Sequence, residues 1–119
     1  MKRILTLLCL SLITTTAIAK PVKNIDQAID LVERSIVKNK LTMLKPECLS
    51  YSYGGNDIYY EIDVRENHNE ICGGDPQTAP RLMTYQVHKK TAKLCTDSIA
   101  WAEKLKAEDP YDFECRPIK

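Results

Sequence analysis

Residues with the chemistry of a metal site or a nucleophile fall between positions 68 and 95: His68-x3-Cys72, then Asp75, His88 and Cys95. Imidazole, thiolate and carboxylate are all ligand types for zinc or copper. No Cys-x2-Cys pair accompanies them, and the cysteine count favours disulfides, so neither a metal nor a cofactor is expected. His68 and His88 are the pair that a metal-handling alternative would use. A Cys72–His68 dyad would need a free thiolate in an oxidising compartment, and no Gly-x-Ser-x-Gly elbow is present. Glu61 and Asp63 share the solvent face of a predicted strand, where no burial sets an acid and a base apart. Gly73-Gly74 lacks the Lys-Ser or Lys-Thr that a phosphate loop requires. The chain is therefore read as non-enzymatic.

The elements that must position these residues are legible as apolar periodicities. Residues 58–66 and 82–88 alternate apolar and polar, as half-buried strands do, and flank a polar loop carrying Cys72-Gly73-Gly74-Asp75-Pro76. Upstream, Ile25, Ala28, Ile29, Val32 and Ile36 recur at helical spacing over residues 25–38, with Asn24 as cap and Gln27 completing a capping-box-like exchange. The polar face of this helix mixes both charges, so its apolar stripe reads as core rather than membrane surface.

Strand pairing that sets apolar opposite apolar residues gives a register. With residues 54–57 as the turn, Leu49 is expected opposite Ile62, Tyr51 opposite Tyr60 and Tyr53 opposite Ile58. With the loop at 67–80 returning the chain, Val64 is expected opposite Met83, Ile62 opposite Tyr85 and Tyr60 opposite Val87. Residues 88–94 read as a turn into a short fourth strand. Thr96 or Asp97 is expected to cap a second helix running to about Lys106, with Ile99, Ala102 and Leu105 on one face. The fold class is thus α+β: an N-terminal helix packed on a three- to four-stranded antiparallel sheet, a second short helix near the C-terminus, and two disulfides.

The 119 residues, 44% hydrophobic and 28% charged, suffice for one small domain. Lys2 and Arg3, an apolar run over 4–13, and Ala17-Ile18-Ala19 have the form of a signal peptide cleaved after Ala19, leaving a single domain over 20–119. Its removal takes Cys9 with it and lowers the formal charge from +1 to −1. That balance gives no electrostatic case for nucleic acid, and no later segment is long enough for membrane insertion. A periplasmic or secreted location follows. The even set Cys48, Cys72, Cys95 and Cys115 then predicts two disulfides. In the expected register Cys48 falls opposite Asp63, near the mouth of the loop, which favours Cys48–Cys72 and leaves Cys95–Cys115; the two other connectivities stay open.

Three stretches, 24–29 (Asn-Ile-Asp-Gln-Ala-Ile), 59–64 (Tyr-Tyr-Glu-Ile-Asp-Val) and 87–94 (Val-His-Lys-Lys-Thr-Ala-Lys-Leu), resemble the PepSY-type modules of secreted and periplasmic proteins. His88 stands where that pattern commonly has Asp, and Ala92 where its turn glycine is usual. The resemblance implies a non-catalytic module that inhibits or modulates peptidases, or makes other periplasmic protein contacts. The cysteine-bearing loop is not part of that pattern. At fourteen residues it is longer than an ordinary hairpin connection, and Gly73, Gly74, Asp75-Pro76, Pro80 and Cys72 equip it to be rigid. It is expected to present Glu66, His68, Asp75, Thr78 and Arg81 to a protein partner in the cell envelope. The functional expectation is an inhibitor or immunity-type modulator of a cell-envelope hydrolase or peptidase; a sensory or metal-handling module and a structural envelope component are the alternatives. The oligomeric state is not readable from the sequence.

Overall fold

Asn24 starts the first helix by the expected exchange, displaced by one residue at one end. Its Oδ1 accepts the Gln27 backbone N–H at 2.9 Å, while Gln27 Oε1 reaches back to the N–H of Lys23, also at 2.9 Å. The computed structural model describes residues 20–119; the signal-peptide reading and Cys9 lie outside the described residues. Helix α1 spans Ile25–Asn39 and closes on Lys40 in the left-handed region, φ 52°, with Leu41 N–H returning to the Ile36 carbonyl. Such a termination satisfies the last carbonyls of the helix. Ala28, Val32, Ser35 and Ile36 are its buried face.

The sheet that this face covers is antiparallel throughout, with strand order β1-β2-β3-β4-β5: Leu49–Gly55, Tyr59–Glu66, Arg81–His88, Leu94–Thr96 and Arg116–Ile118. A fifth strand, contributed by the tail, extends the sheet beyond the three or four strands expected. Between β2 and β3 the expected pairs all form: Val64 with Met83, Ile62 with Tyr85 and Tyr60 with Val87. Ile62, Val64, Tyr85 and Val87 are fully enclosed and, with Met83 and the α1 face, form the core. Tyr85 carries its hydroxyl into that core against the Ser35 hydroxyl at 2.9 Å.

Between β1 and β2 the expected register is corrected. Leu49 faces Glu66, Tyr51 faces Val64 and Tyr53 faces Ile62, four residues from the expected partners. The cause is the turn: Gly54 and Gly55 belong to β1, and the chain reverses over 56–58, where Asn56 Oδ1 accepts the N–H groups of Ile58 and Tyr59 at 2.8 and 3.1 Å. A side chain that bonds the backbone two and three residues on makes a tight turn without glycine at its centre. The slip is even, so every side chain keeps its face of the sheet. Cys48, preceding β1 in the one-turn 3-10 segment Pro46–Cys48, correspondingly stands opposite Asn67 rather than Asp63, with the Asn67 N–H on its carbonyl at 2.8 Å.

The second helix, α2, is Ile99–Lys104, and its cap is Ser98 rather than Thr96 or Asp97. Ser98 Oγ accepts from Trp101 N–H at 3.2 Å. The other two candidates are engaged elsewhere, since Thr96 Oγ1 donates to the Thr84 carbonyl at 2.8 Å and Asp97 Oδ1 accepts the Thr84 N–H at 2.7 Å. Leu105 falls outside the helix and is exposed, while Ala102 is buried. Disulfides join Cys48 to Cys72 and Cys95 to Cys115. The second ties the tail to β4, where Arg116 also holds Asp112 with contacts of 2.7 and 2.9 Å. Disulfide-bonded domains of this size belong to oxidising, extracellular compartments. Among the described residues no helix is long and apolar enough to cross a membrane.

Candidate functional site

The loop over 67–80 is built around one imidazole. His68 Nε2 lies 2.6 Å from Glu66 Oε2, and Nδ1 donates to the Asp75 carbonyl at 2.8 Å. Thr78 Oγ1 stands 3.2 Å from the same Nδ1 and donates to the Asp75 carbonyl at 3.1 Å. Both ring nitrogens therefore face acceptors, an arrangement matched to the doubly protonated ring. The Glu66 carboxylate first, and then the Asp75 carbonyl, hold the His68 pKa above its ordinary 6.5.

Gly74 closes the ring's remaining face. Its φ is +82°, and a Cβ there would sit 2.6 Å from His68 ring atoms, so the backbone lies flat against the imidazole. Around this hub the loop is tied at further points. Asn69 Oδ1 accepts the N–H groups of Ile71 and Cys72 at 3.0 and 2.8 Å, and Asp75 Oδ1 accepts that of Gln77 at 3.0 Å. At the stem, Glu66 N–H bonds the Pro80 carbonyl at 2.9 Å and the Arg65 guanidinium bonds the Ala79 carbonyl at 3.0 Å. The Cys48–Cys72 bridge anchors the far side to the entry of β1.

Of the five residues expected to form a presenting surface, four meet: Glu66, His68, Asp75 and Thr78. Their mutual bonds converge on the His68 ring, whose side chain keeps only 13% of its exposure, while Asp75, bonded through its backbone carbonyl, and Thr78 stay exposed. They act as the brace that shapes the loop. Arg81 is separate: as the first residue of β3 it bonds Thr84 Oγ1 at 2.9 Å and Asp97 Oδ2 at 3.0 Å and lies over the Phe113 ring, 5.8 Å from its centroid. A basic residue just past Pro80 looked like part of the loop, but the carboxylate of Asp97 draws it toward the β4–α2 link.

What the brace presents is Ile71, which sequence reasoning missed. It is 87% exposed, although its backbone is fixed by Asn69 and it adjoins a disulfide-bonded cysteine. Met43, at 103%, is exposed as well. The signal was available: an aliphatic residue directly before Cys72, in a loop otherwise polar. A crevice of about 150 Å³ between Leu44, Cys48, Glu66, His68, Cys72 and Gly74 lies in the same loop region.

The two histidines do not share a site. His88 pairs with Tyr59 at the start of β2, whereas His68 follows the end of that strand, roughly 25 Å away at the rise of an extended chain. His88 is half-buried, and its Nδ1 accepts the N–H groups of Lys90 and Thr91 at 3.2 Å each, the work of an Asp side chain at a turn. Ala92, in the position of the turn glycine, has φ +59°. Cys72 is in a disulfide and supplies no thiolate. Among the described residues no three His, Cys, Asp or Glu side chains gather as a metal site. In comparisons with family models, curated proteins and solved structures, the chain matches none.

Proposed function

We propose that this is an exported, non-enzymatic protein-binding module that modulates a cell-envelope hydrolase or peptidase by inserting the tip of its braced loop. One observation carries the reading: Ile71 is held out in water on a backbone that a disulfide, an Asn69 turn and the His68 hub have already ordered. Exposed apolar side chains on mobile loops are commonplace, but a rigid one loses little conformational entropy when it is buried in a partner's pocket. Glu70, next to Ile71, and Asp75, in the same loop, are exposed and acidic, so the fitting partner offers an apolar cavity with basic groups beside it. Export through the N-terminal signal peptide places both partners in the periplasm or outside the cell.

The test is an inhibition assay of cell-wall hydrolase and peptidase activities in envelope extract with purified wild type, Ile71→Asp and Ile71→Ala. Wild type is expected to lower one such activity. Loss of a central anchor of about 2 kcal/mol weakens inhibition by roughly 30-fold in Ile71→Asp, with Ile71→Ala intermediate. Equal inhibition by all three proteins removes the loop tip as the contact, and absence of inhibition by wild type removes the reading itself.

A further inference from the structure

The sheet has one long uncovered edge. Antiparallel strands alternate between residues that exchange backbone bonds with their partner and residues that turn theirs outward. The bond from Asn67 N–H to the Cys48 carbonyl fixes the phase, so Ser50, Ser52 and Gly54 bond to β2. Glu66 donating to Pro80, away from β1, agrees with that phase. Leu49, Tyr51, Tyr53 and Gly55 therefore direct their backbone groups to the open side. The Leu49 N–H is taken by the Pro46 carbonyl, but among the described residues no segment outside β2 bonds the backbone of Tyr51 or Tyr53.

Edge strands are normally protected by shortness, proline, an inward charge or a covering segment. β5, at the other edge, is three residues long with Pro117 at its centre. β1 is seven residues, Leu-Ser-Tyr-Ser-Tyr-Gly-Gly, with neither charge nor proline, and its residues from Ser52 onward are exposed, Tyr53 at 65%.

We propose that β1 pairs antiparallel with β1 of a second copy of this chain, about a two-fold axis at Ser52, joining two five-stranded sheets. In this register Tyr51 stands opposite the other copy's Tyr53 and Tyr53 opposite its Tyr51. Both are outward-bonding positions, so they exchange about four backbone hydrogen bonds. The four tyrosines line up on the helix-side face as cross-strand aromatic pairs. A copy of the same chain fits better than a charged peptide, because β1 offers no charge to recognise one. The charges nearest the axis belong to Arg65, whose Nε lies 3.5 Å from Ser52 Oγ, and to Asp63, 3.6 Å from the Arg65 guanidinium, so each copy brings a compensated pair there, while Glu47 falls opposite the other copy's Asp57 at either end, a repulsion that salt screens. An edge of this length buries less than a standard interface, so the dimer is weak and concentration-dependent.

The proposal is independent of the loop and is tested by analytical ultracentrifugation across a concentration series with amide hydrogen exchange. Wild type is expected to move from monomer to dimer mass as concentration rises. The amides of Tyr51 and Tyr53 gain protection with it, while those of Ser50 and Ser52 are protected throughout. Tyr53→Pro removes an outward donor, and Tyr53→Lys places a charge beside the axis, against the other copy's Tyr51; both are expected to stay monomeric. Should Tyr53→Pro lose the native circular dichroism spectrum, Tyr53→Lys decides. A wild type that stays monomeric at every concentration, a dimer that survives Tyr53→Lys, or protection gained elsewhere than at Tyr51 and Tyr53 overturns the proposal.

Discussion

His68 and Glu66 are joined by a 2.6 Å contact between Nε2 and Oε2, and the opposite nitrogen of the same ring donates to the carbonyl of Asp75. Two segments of the loop thus meet on one proton-binding group. Because its folded pKa lies above 6.5, the ring's contribution to stability is fully present below 6.5 and is lost as pH rises through the raised folded value. Protection of the amides over residues 67–80, taken relative to the base-catalysed exchange of an unfolded chain, is expected to fall on the alkaline side, in step with the His68 ring titration followed by NMR, and a His68→Gln variant is expected to flatten that fall. A ring titrating below 6.5 would contradict it.

Gly73 and Gly74 adjoin in sequence and differ in surroundings. An added Cβ at Gly73 meets nothing within 4 Å, so Gly73→Ala bears only the strain of φ +75°, about 1 kcal/mol. Gly74→Ala bears similar strain and also drives a methyl into the His68 ring, for a total of about 2–4 kcal/mol. Denaturant unfolding separates the two. The His68 resonances are expected to shift in Gly74→Ala and to hold in Gly73→Ala.

The turn between β3 and β4 is made by residues less suited to it than the usual ones. Ala92 adopts φ +59°, so Ala92→Gly is expected to relieve strain and raise stability by about 0.5–1 kcal/mol, a rise in Tm of several degrees. His88→Asp keeps an acceptor for the Lys90 and Thr91 amides and is expected to fall within about 0.5 kcal/mol of wild type. A thermal melt of each variant, with the pair combined, checks both signs.

Tyr85 and Ser35 form the polar contact at the centre of the core. Burial pushes the Tyr85 hydroxyl up to about 12, so it keeps its proton and the 2.9 Å bond at any ordinary pH. Tyr85→Phe leaves Ser35 with its 3.3 Å bond to the Lys119 carbonyl, and the expected loss is about 1–2 kcal/mol by denaturant unfolding.

Much of this fold was legible because its constraints are local or periodic. Ala28, Val32 and Ile36 could only be one helix face, and Ile62 and Val64 could only face Tyr85 and Met83 if the loop between them was to close. The β1–β2 register was misplaced because a Gly-Gly pair reads as a turn, whereas the Asn56 side chain makes the turn three residues wide just beyond it. The error was harmless to the core since four is an even shift, and it moved Cys48 toward Cys72 rather than away. The loop was recognised as constrained, but which residues constrain it and which protrude was not legible. That division depends on where each side chain points, and the bonds of Glu66 and Thr78 to the His68 ring give them a bracing role that residue type alone does not announce. Arg81 reads as a loop residue for the opposite reason, since its partner Asp97 is sixteen positions away.

The meander order of the sheet bears on how the cysteines find one another. The native bridges close separations of 24 and 20 residues, and the non-native pair Cys72–Cys95 would close one of nearly the same length. Loop-closure entropy grows only logarithmically with length, so it does not tell these alternatives apart. Selection falls to strand pairing, which sets Cys48 beside the loop stem and Cys95 beside the β5 segment. Oxidation that outruns formation of β1–β2 and β4–β5 can trap Cys72 with Cys95, and in that chain a disulfide isomerase becomes the agent that recovers the fold.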